Sequence, residues 1–546
     1  MATMKTPGVY IVEKNAFPNS VVEVATAVPA FVGYTEKASN NGAPLLKKPF
    51  RIASLAEFER YFGRENAPLL DILPVDGKDS DITADFFASP TAGAAQAPYA
   101  VRHAKGNRRV LYWAMRHFFQ NGGGPCYVVS VGDYKAAPDP DVLIGGVAAL
   151  AAELEPTMVV IPDAVVLTEP QCIYVQQQML SHCGEVMKNR FAILDVYDGW
   201  RERQDPKFQP IDKFRSDLGV NNLMWGAAYY PWVRTGILQD REISFDNFSN
   251  RKLLGGLLKA SLDPAVLAKF GGVIDAAAQS DDEWKAAARK DWDDQNTAKG
   301  DAAVKGADAK KQGDDWAAAN GDAWVAQQKG QTNATLASVI DLYGAIAKQA
   351  AIQVNLMPPS AAMAGVYCMV DNTRGVWKAP ANVSLNNVTA PAVAISHDQQ
   401  EDLNVTPTGK SINAIRAFIG EGVLVWGART LDGNSLDWRY VNVRRTMIML
   451  EESSRLAAKA MVFEPNVAGT WLTIKSMIQN FLTSIWKRGG LAGAVPDDAF
   501  GVYCGLGETM TSEDILEGIL RVTVLVAVTR PAEFIEITFQ QQMQKS

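Results

Sequence analysis

The chain has 546 residues, with 53 basic and 60 acidic side chains, a formal net charge of -7 and 47% hydrophobic residues. At roughly 100 to 200 residues per domain, this length predicts several domains, or fewer domains with large insertions. The composition is that of a globular protein, which excludes wholesale disorder, a collagen-like chain and a coiled coil. Because the net charge is negative, we expect no nucleic-acid partner.

Export and membrane insertion find no support in the sequence. No apolar run long enough for a secretory signal follows Met1. The most apolar stretch, 515–528, contains Glu517 and Arg521 and is shorter than the roughly 20 residues that cross a bilayer. The five cysteines never form C-x-x-C, so they specify neither a disulfide framework nor a zinc site. We therefore expect a soluble protein with reduced, mostly buried thiols.

The first 34 residues are predicted to form a thin extended arm. Apolar residues of strand type alternate within it: Val9, Ile11, Val21, Val22 and Val24. An isolated pair of strands is only marginally stable in water, so the arm must pair with a sheet elsewhere in this chain or in another chain.

Residues 35–125 predict a small, variable, loop-rich subdomain with short helices. From residue 126 to 354, short β-branched runs such as 157–163 and 190–199 alternate with longer helical patterns. This alternation predicts an α/β domain with a parallel, doubly wound sheet.

The segment 279–330 has a different composition, because it lacks Leu, Ile, Phe and Tyr. It contains two pairs of tryptophans, each pair eight residues apart: Trp284 with Trp292, and Trp316 with Trp324. On a helix, residues at that spacing are offset by about 80° and share one side. We predict an insertion of two short helices held by tryptophan side chains.

Residues 355–546 predict an α+β domain that ends in a long apolar strand. The pattern predicts two long helices, 446–463 and 467–488. The strand-like runs are 364–371, 422–428, 440–445, 499–505, 521–528 and 534–541.

One stretch superficially resembles a phosphate-binding loop. Residues 406–411 read TPTGKS, but the first glycine of G-x-x-x-x-G-K-S would fall at Asn404, and no apolar strand comes directly before it. We therefore interpret it as an ordinary loop and predict no nucleotide cofactor.

Other candidates for chemistry are also weak. Asp163 and Asp195 end consecutive predicted strands, where α/β enzymes place catalytic carboxylates, but no G-x-S-x-G elbow accompanies them. Capping of helix N-termini is the favoured role for these carboxylates, and a hydrolase remains an alternative. His182 and Cys183 are adjacent on a predicted helix and point about 100° apart, which is poor geometry for a shared metal. No catalytic, cofactor or metal residue is assigned.

Ten segments, in this order, resemble one protein family: 6–13, 24–35, 190–196, 229–233, 358–382, 403–404, 412–431, 437–445, 463–466 and 531–541. The first reads TPGVYIVE, the densest match INAIRAFIGEGVLVWGARTL and the last PAEFIEITFQQ. The chain thereby resembles the sheath proteins of contractile phage tails and of related extracellular contractile injection systems.

The resemblance implies a subtilisin-like α/β middle domain without a catalytic triad, beside a C-terminal sheath domain on which the N-terminal arm packs. It implies a structural protein, not an enzyme, with no cofactor. Subunits would form stacked hexameric rings around an inner tube and contract to drive that tube through a target envelope. The arms would add strands to neighbouring subunits through Val9, Ile11, Val21, Val22, Val24, Phe534, Ile535, Ile537 and Phe539.

The implied partners are further copies of the chain, sheath paralogues, an inner tube protein, and baseplate and cap proteins. From the residues themselves, Lys475, Lys487 and Arg488 are predicted to form a positive edge on helix 467–488, which we expect to face the tube. The resemblance implies assembly in the bacterial cytoplasm into a phage tail or a released tail-like particle. A component of a type VI secretion sheath is a second alternative, although it would require an additional small subunit.

Overall fold

A computed structural model describes residues 21–75, 82–205, 208–299 and 304–537. Within these residues, the central feature is a nine-stranded sheet. Its six inner strands run parallel, and the outer strands are antiparallel. From edge to edge the strands are Val383–Ser384, Gly422–Val425, Asn413–Phe418, Gly226–Tyr230, Phe191–Asp195, Met158–Val160, Pro29–Gly33, Cys126–Ser130 and Phe50–Ile52.

The inner strands are continuous apolar runs. Every residue of Phe191–Asp195 and Gly226–Tyr230 is buried. This is the pattern of parallel strands covered on both faces by helices. The predicted parallel α/β architecture is therefore present.

The α-helices of the described residues cover this sheet or form the flanking regions. They are Leu55–Phe62, Leu111–Gln120, Pro140–Ala149, Glu169–Ser181, Pro210–Asp217, Arg251–Ala260, Pro264–Ala277, Asp281–Thr297, Gly306–Val339, Asp341–Val354, Ser360–Arg374, His397–Asn404, Val441–Lys459, Ala468–Lys487, Pro496–Ala499 and Ser512–Leu516. A π-helical turn, His182–Met187, extends one of them. Short 3-10 turns are Leu150–Ala152, Pro162–Val166, Leu223–Trp225, Asp240–Glu242 and Phe245–Asn247. None of the described helices is long and apolar enough to cross a bilayer.

Part of the predicted N-terminal arm belongs to the central sheet. Pro29–Gly33 pairs in parallel with Cys126–Ser130 on one side and with Met158–Val160 on the other. All five of its residues are buried. The prediction of one arm through residue 34 is therefore wrong for this part, because its apolar residues fill an interior position of a two-faced sheet.

The region 35–125 is more regular than predicted. Besides two helices, it contains a three-stranded antiparallel sheet of Leu70–Pro74, Ala97–His103 and Phe86–Ala88. Two smaller antiparallel sheets are also present. One pairs Ser39–Asn40 with Ala43–Pro44, and the other pairs Val233–Thr235 with Leu356–Met357 on one side and Val388–Pro391 on the other.

The tryptophan-containing insertion forms two helices, Asp281–Thr297 and Gly306–Val339, which pack against each other. The second helix has 34 residues, so the prediction of two short helices is wrong. The helix contains no proline, and its Ala, Lys and Gln residues favour helical structure. It therefore continues past residue 330 and ends at Val339. Trp284 is buried and stacks on Phe245 with ring centroids 6.2 Å apart.

A second, smaller core lies at the C-terminal end. Helices Val441–Lys459 and Ala468–Lys487 pack there with a two-stranded antiparallel sheet of Phe500–Tyr503 and Thr523–Val526. The predicted boundary at 354/355 does not separate the two cores. The separation falls inside helix Val441–Lys459, where Ile448 belongs to the large core and Met449 to the small one.

Three of the six strand predictions in this half differ from the structure. The run 364–371 lies within helix Ser360–Arg374, and 440–445 forms the N-cap and the first turn of helix Val441–Lys459. Both helices are buried on most sides, so their apolar residues show no helical periodicity, and a short apolar run does not distinguish a strand from a buried helix. Residues 531–537 form no strand within the described chain, and 538–541 lie outside it.

Candidate assembly surfaces

The C-terminal segment presents an apolar surface to solvent. The side chains of Phe534, Ile535 and Ile537 are 75%, 78% and 70% exposed, respectively. The fourth predicted arm residue, Phe539, lies outside the described residues. Three large apolar side chains in four positions, which the described residues leave uncovered, are typical of an interaction site.

Residues 21–24 lie against the small C-terminal core. Val21 is buried there, and the Val24 N–H donates to Ser453 Oγ at 3.1 Å. Val22 points away and is 80% exposed. The predicted arm residues Val9 and Ile11 lie outside the described residues.

A buried ion pair fixes the base of this N-terminal segment. Arg445 donates to both carboxylate oxygens of Asp371 at 2.9 and 2.6 Å, and to the Thr26 carbonyl at 3.0 Å. Burial opposes the charged form of Arg445, but Asp371 outweighs this effect and the pKa of the guanidinium is raised. The guanidinium also lies over the Tyr367 ring, 4.8 Å from its centroid. Arg445 therefore connects the N-terminal segment to a helix of the large core.

The two-stranded sheet of the small core is open in the described chain, because neither Phe500–Tyr503 nor Thr523–Val526 pairs with a further strand there. Its side chains include partly exposed apolar residues, Tyr503 at 39% and Leu525 at 58%. An open edge with exposed apolar side chains is a template for pairing with another chain.

The three basic residues predicted on one helix edge do not act together. Lys475 Nζ lies 3.7 Å from a Glu508 carboxylate oxygen, and Arg488 donates to Glu23 at 2.5 Å. Lys475 and Arg488 are thirteen positions apart and are therefore offset by about 140° around the helix. Lys487 is exposed and makes no ion pair with the part of the chain that the structure describes. The predicted continuous positive edge is wrong, because two of its members are paired within the subunit.

An apolar surface that the sequence analysis missed lies beside this helix. Phe463 is fully exposed with a left-handed backbone φ of 73°, and Leu472 is 66% exposed. Phe463 sits in the turn between the two long helices. The helical pattern of 446–463 placed Phe463 inside a helix, whereas the helix ends at Lys459.

The two strand-end aspartates cap helices. Asp163 accepts the Val110 and Leu111 N–H groups at 2.7 and 3.2 Å at the start of helix Leu111–Gln120. Asp195 accepts the Ser360 N–H at 2.8 Å and its hydroxyl at 2.5 Å at the start of Ser360–Arg374. Both carboxylates are buried and engaged by backbone N–H groups, which is the capping role.

The other residues considered for binding or catalysis are Lys410, His182 and the cysteines, and they make contacts within the fold. Lys410 of the TPTGKS stretch donates its ammonium to the Arg215 carbonyl. The ring nitrogen of His182 faces the Arg190 guanidinium at 3.1 Å, and burial lowers the pKa of His182 to about 4. All five cysteines are buried and free. The described residues contain no cluster of His, Cys, Asp or Glu that could hold a metal ion.

Comparisons with known proteins agree on one family. A family model described as the phage tail sheath C-terminal domain matches residues 434–542. The tail sheath protein of Vibrio phage KVP40 is 28% identical over 138 residues, and that of Burkholderia phage BcepMu is 29% identical over 143 residues. Each alignment covers 25% of this chain, and they cover 20% and 30% of the respective phage proteins.

The structural similarity extends over the whole chain. The contracted sheath of an extracellular contractile injection system, PVC, aligns at 25% identity with a TM-score of 0.56, over 100% of this chain and 99% of that one. The contracted helical sheath of the anti-feeding prophage aligns at 25% identity and a TM-score of 0.56, over 99% and 100%. These matches confirm the resemblance found in the sequence. This chain is thus similar in sequence to phage tail sheath proteins in its C-terminal part, and similar in fold over its whole length to the sheath subunits of contractile injection systems.

Proposed function

We propose that this protein is the structural subunit of a contractile sheath, which polymerises as stacked hexameric rings around an inner tube and contracts to drive the tube through a target envelope. The observation that carries the proposal is the alignment of the whole chain with the subunits of two contracted sheaths. The work of such a protein is mechanical. The capping roles of Asp163 and Asp195 support this reading and remove the main support for the hydrolase alternative.

Within this proposal, the subunits are linked by exchange of terminal strands. The exposed segment that begins at Phe534 adds to the open two-stranded sheet of a neighbouring copy, and the N-terminal arm does the same. The donor and the acceptor are different surfaces of one chain, so the contact is heterologous and propagates as a helix when it does not close. The middle domain serves as a subtilisin-like scaffold without a working triad.

The other partners follow from the same reading. The inner tube contacts the exposed face of Ala468–Lys487, where Lys487 and Leu472 point to solvent. Baseplate and cap proteins bind the two ends of the cylinder, and assembly takes place in the bacterial cytoplasm. No nucleic acid or cofactor takes part.

Deletion of residues 1–20 tests the strand exchange. The cut leaves Val21 in the small core, so the subunit keeps its packing. We expect a folded protein with an unchanged midpoint of thermal unfolding that does not sediment as a polymer under conditions in which the full chain does. Full-length cylinders from the truncated chain would show that the N-terminal arm is not needed for assembly.

A further inference from the structure

The C-terminal segment makes a partly buried polar contact just before its exposed part. Glu533 accepts hydrogen bonds from Arg429 Nη2 at 2.6 Å and Nε at 3.0 Å, from Asn404 Nδ2 at 2.6 Å and from the Tyr440 hydroxyl at 3.1 Å. We call these four residues the Glu533 contact. Immediately after it, Phe534 and the residues to 537 are exposed.

The Glu533 contact joins the segment to the large core. The backbone of Arg429 is held by Asn413 of the central sheet, with N–H to Oδ1 at 2.7 Å and Nδ2 to O at 2.8 Å. Arg429 Nη1 also donates to the Asn404 carbonyl at 3.1 Å, at the end of helix His397–Asn404. The guanidinium therefore has a fixed position before Glu533 reaches it.

The strand that leads into the segment belongs to the small core instead. Thr523–Val526 pairs with Phe500–Tyr503, and Leu491 forms a bridge with Val528. The chain thus leaves the small core and crosses to the large one within a few residues. On the way, Arg530 makes an exposed ion pair with Asp437 at 3.8 Å, which contributes little.

The charged form of Glu533 suits this site. Burial raises the pKa of the carboxyl, but hydrogen bonds from Arg429 and Asn404 outweigh burial, and the net pKa is below its usual range. The carboxylate is therefore ionised at neutral pH. Its bonds are charge-assisted and about twice as strong as neutral ones.

We propose that Glu533 is a positioning residue that fixes where the C-terminal arm leaves the subunit and which of its side chains face a second copy of this chain. Strand pairing has a period of two, so a slip of one residue would exchange the two faces of the arm. The Glu533 contact sets the register at the residue that precedes the first exposed apolar side chain. The consequence for assembly rests on the proposed sheath function, whereas the attachment of the arm within one subunit does not.

The test compares Glu533→Ala with Glu536→Ala in the full chain. Glu536 is the matched control, because it is an exposed glutamate in the same segment. The first measurement is the rate at which chymotrypsin cuts after Phe534 in the unassembled subunit. We expect Glu533→Ala to be cut about tenfold faster, because the arm of this variant can detach from the subunit without breaking the charge-assisted bonds of Glu533. We expect Glu536→Ala to be cut at the rate of the unaltered chain.

The second measurement is the lowest protein concentration at which polymers sediment. We expect it to rise about tenfold for Glu533→Ala relative to the unaltered chain, at a temperature well below the midpoint of thermal unfolding of both proteins. Equal cleavage of the two variants would overturn the attachment of the arm. Faster cleavage with normal assembly would overturn the positioning role. If the unaltered chain never polymerised, the sheath proposal would fail, while the cleavage rates would still decide whether Glu533 holds the arm.

Discussion

Buried charges in this protein are paired across long distances in the chain. Arg445 binds Asp371 and the Thr26 carbonyl near the N-terminal end of the described chain, and Arg429 binds Glu533 near its C-terminal end. Each pair fixes the base of one terminal segment. Removing Asp371 would leave the Arg445 guanidinium as an uncompensated buried charge, which is strongly destabilising.

Asp195 gives a prediction at this scale for the dependence of stability on pH. Burial raises the pKa of Asp195 to about 7, against the hydrogen bonds from Ser360. In the unfolded chain the pKa of an aspartate is about 3.9. Between these two values the folded state binds the additional proton, so the contribution of Asp195 to the free energy of unfolding falls as pH rises from about 4 to 7.

Replacing Asp195 by Asn removes this titration and keeps an oxygen that accepts the Ser360 N–H. We expect the unaltered chain to have the larger free energy of unfolding at pH 4. This advantage over the variant should decrease as the pH rises to 7. Chemical denaturation at a series of pH values measures this difference. A difference that stays constant with pH would show that Asp195 does not titrate in this range.

At the scale of elements, the strands that could be predicted are those with a clear composition and clear boundaries. The runs around Phe191–Asp195 and Gly226–Tyr230 are short, β-branched or aromatic and flanked by turns, and both are strands. The runs 364–371 and 440–445 were mistaken for strands, although they belong to Ser360–Arg374 and to the start of Val441–Lys459, because burial on several sides hides the helical period. Such cases depend on tertiary packing, which a local pattern does not contain.

The insertion gives a prediction for an element that is poor in large apolar residues. Trp284 is buried against Phe245, whereas Trp316 is only half-buried on the longer helix. Trp284→Ala should reduce the free energy of unfolding by about 3 to 5 kcal/mol, because it leaves a cavity where the insertion meets the large core. The matched substitution Trp316→Ala should cost clearly less. Chemical denaturation followed by circular dichroism compares the two, and equal losses would contradict the assigned role of Trp284.

At the scale of the whole molecule, the family and the terminal surfaces could be predicted, but the contacts that hold the termini could not. The exposure of Phe534, Ile535 and Ile537 agrees with their prediction as arm residues, although their pairing with a neighbour stays a prediction. Arg429 and Glu533 are 104 residues apart. Each is a charged residue next to large apolar residues, but this pattern does not identify the partner.

The positive edge on helix Ala468–Lys487 failed for a related reason. Charges were assigned to one face from their proximity in sequence, and two of the three are neutralised by Glu508 and Glu23 from other parts of the chain. The surface left beside this helix is more apolar than predicted, with Phe463 and Leu472 exposed. Contact with the tube through this face remains a prediction.

The central claim is that this chain polymerises as a contractile sheath. Negative-stain electron microscopy of the purified protein, alone and coexpressed with the products of its neighbouring genes, tests it most directly. We predict hollow, striated cylinders with six-fold symmetry in projection. Discrete globular particles of fixed size under all these conditions, with both termini intact, would contradict the claim.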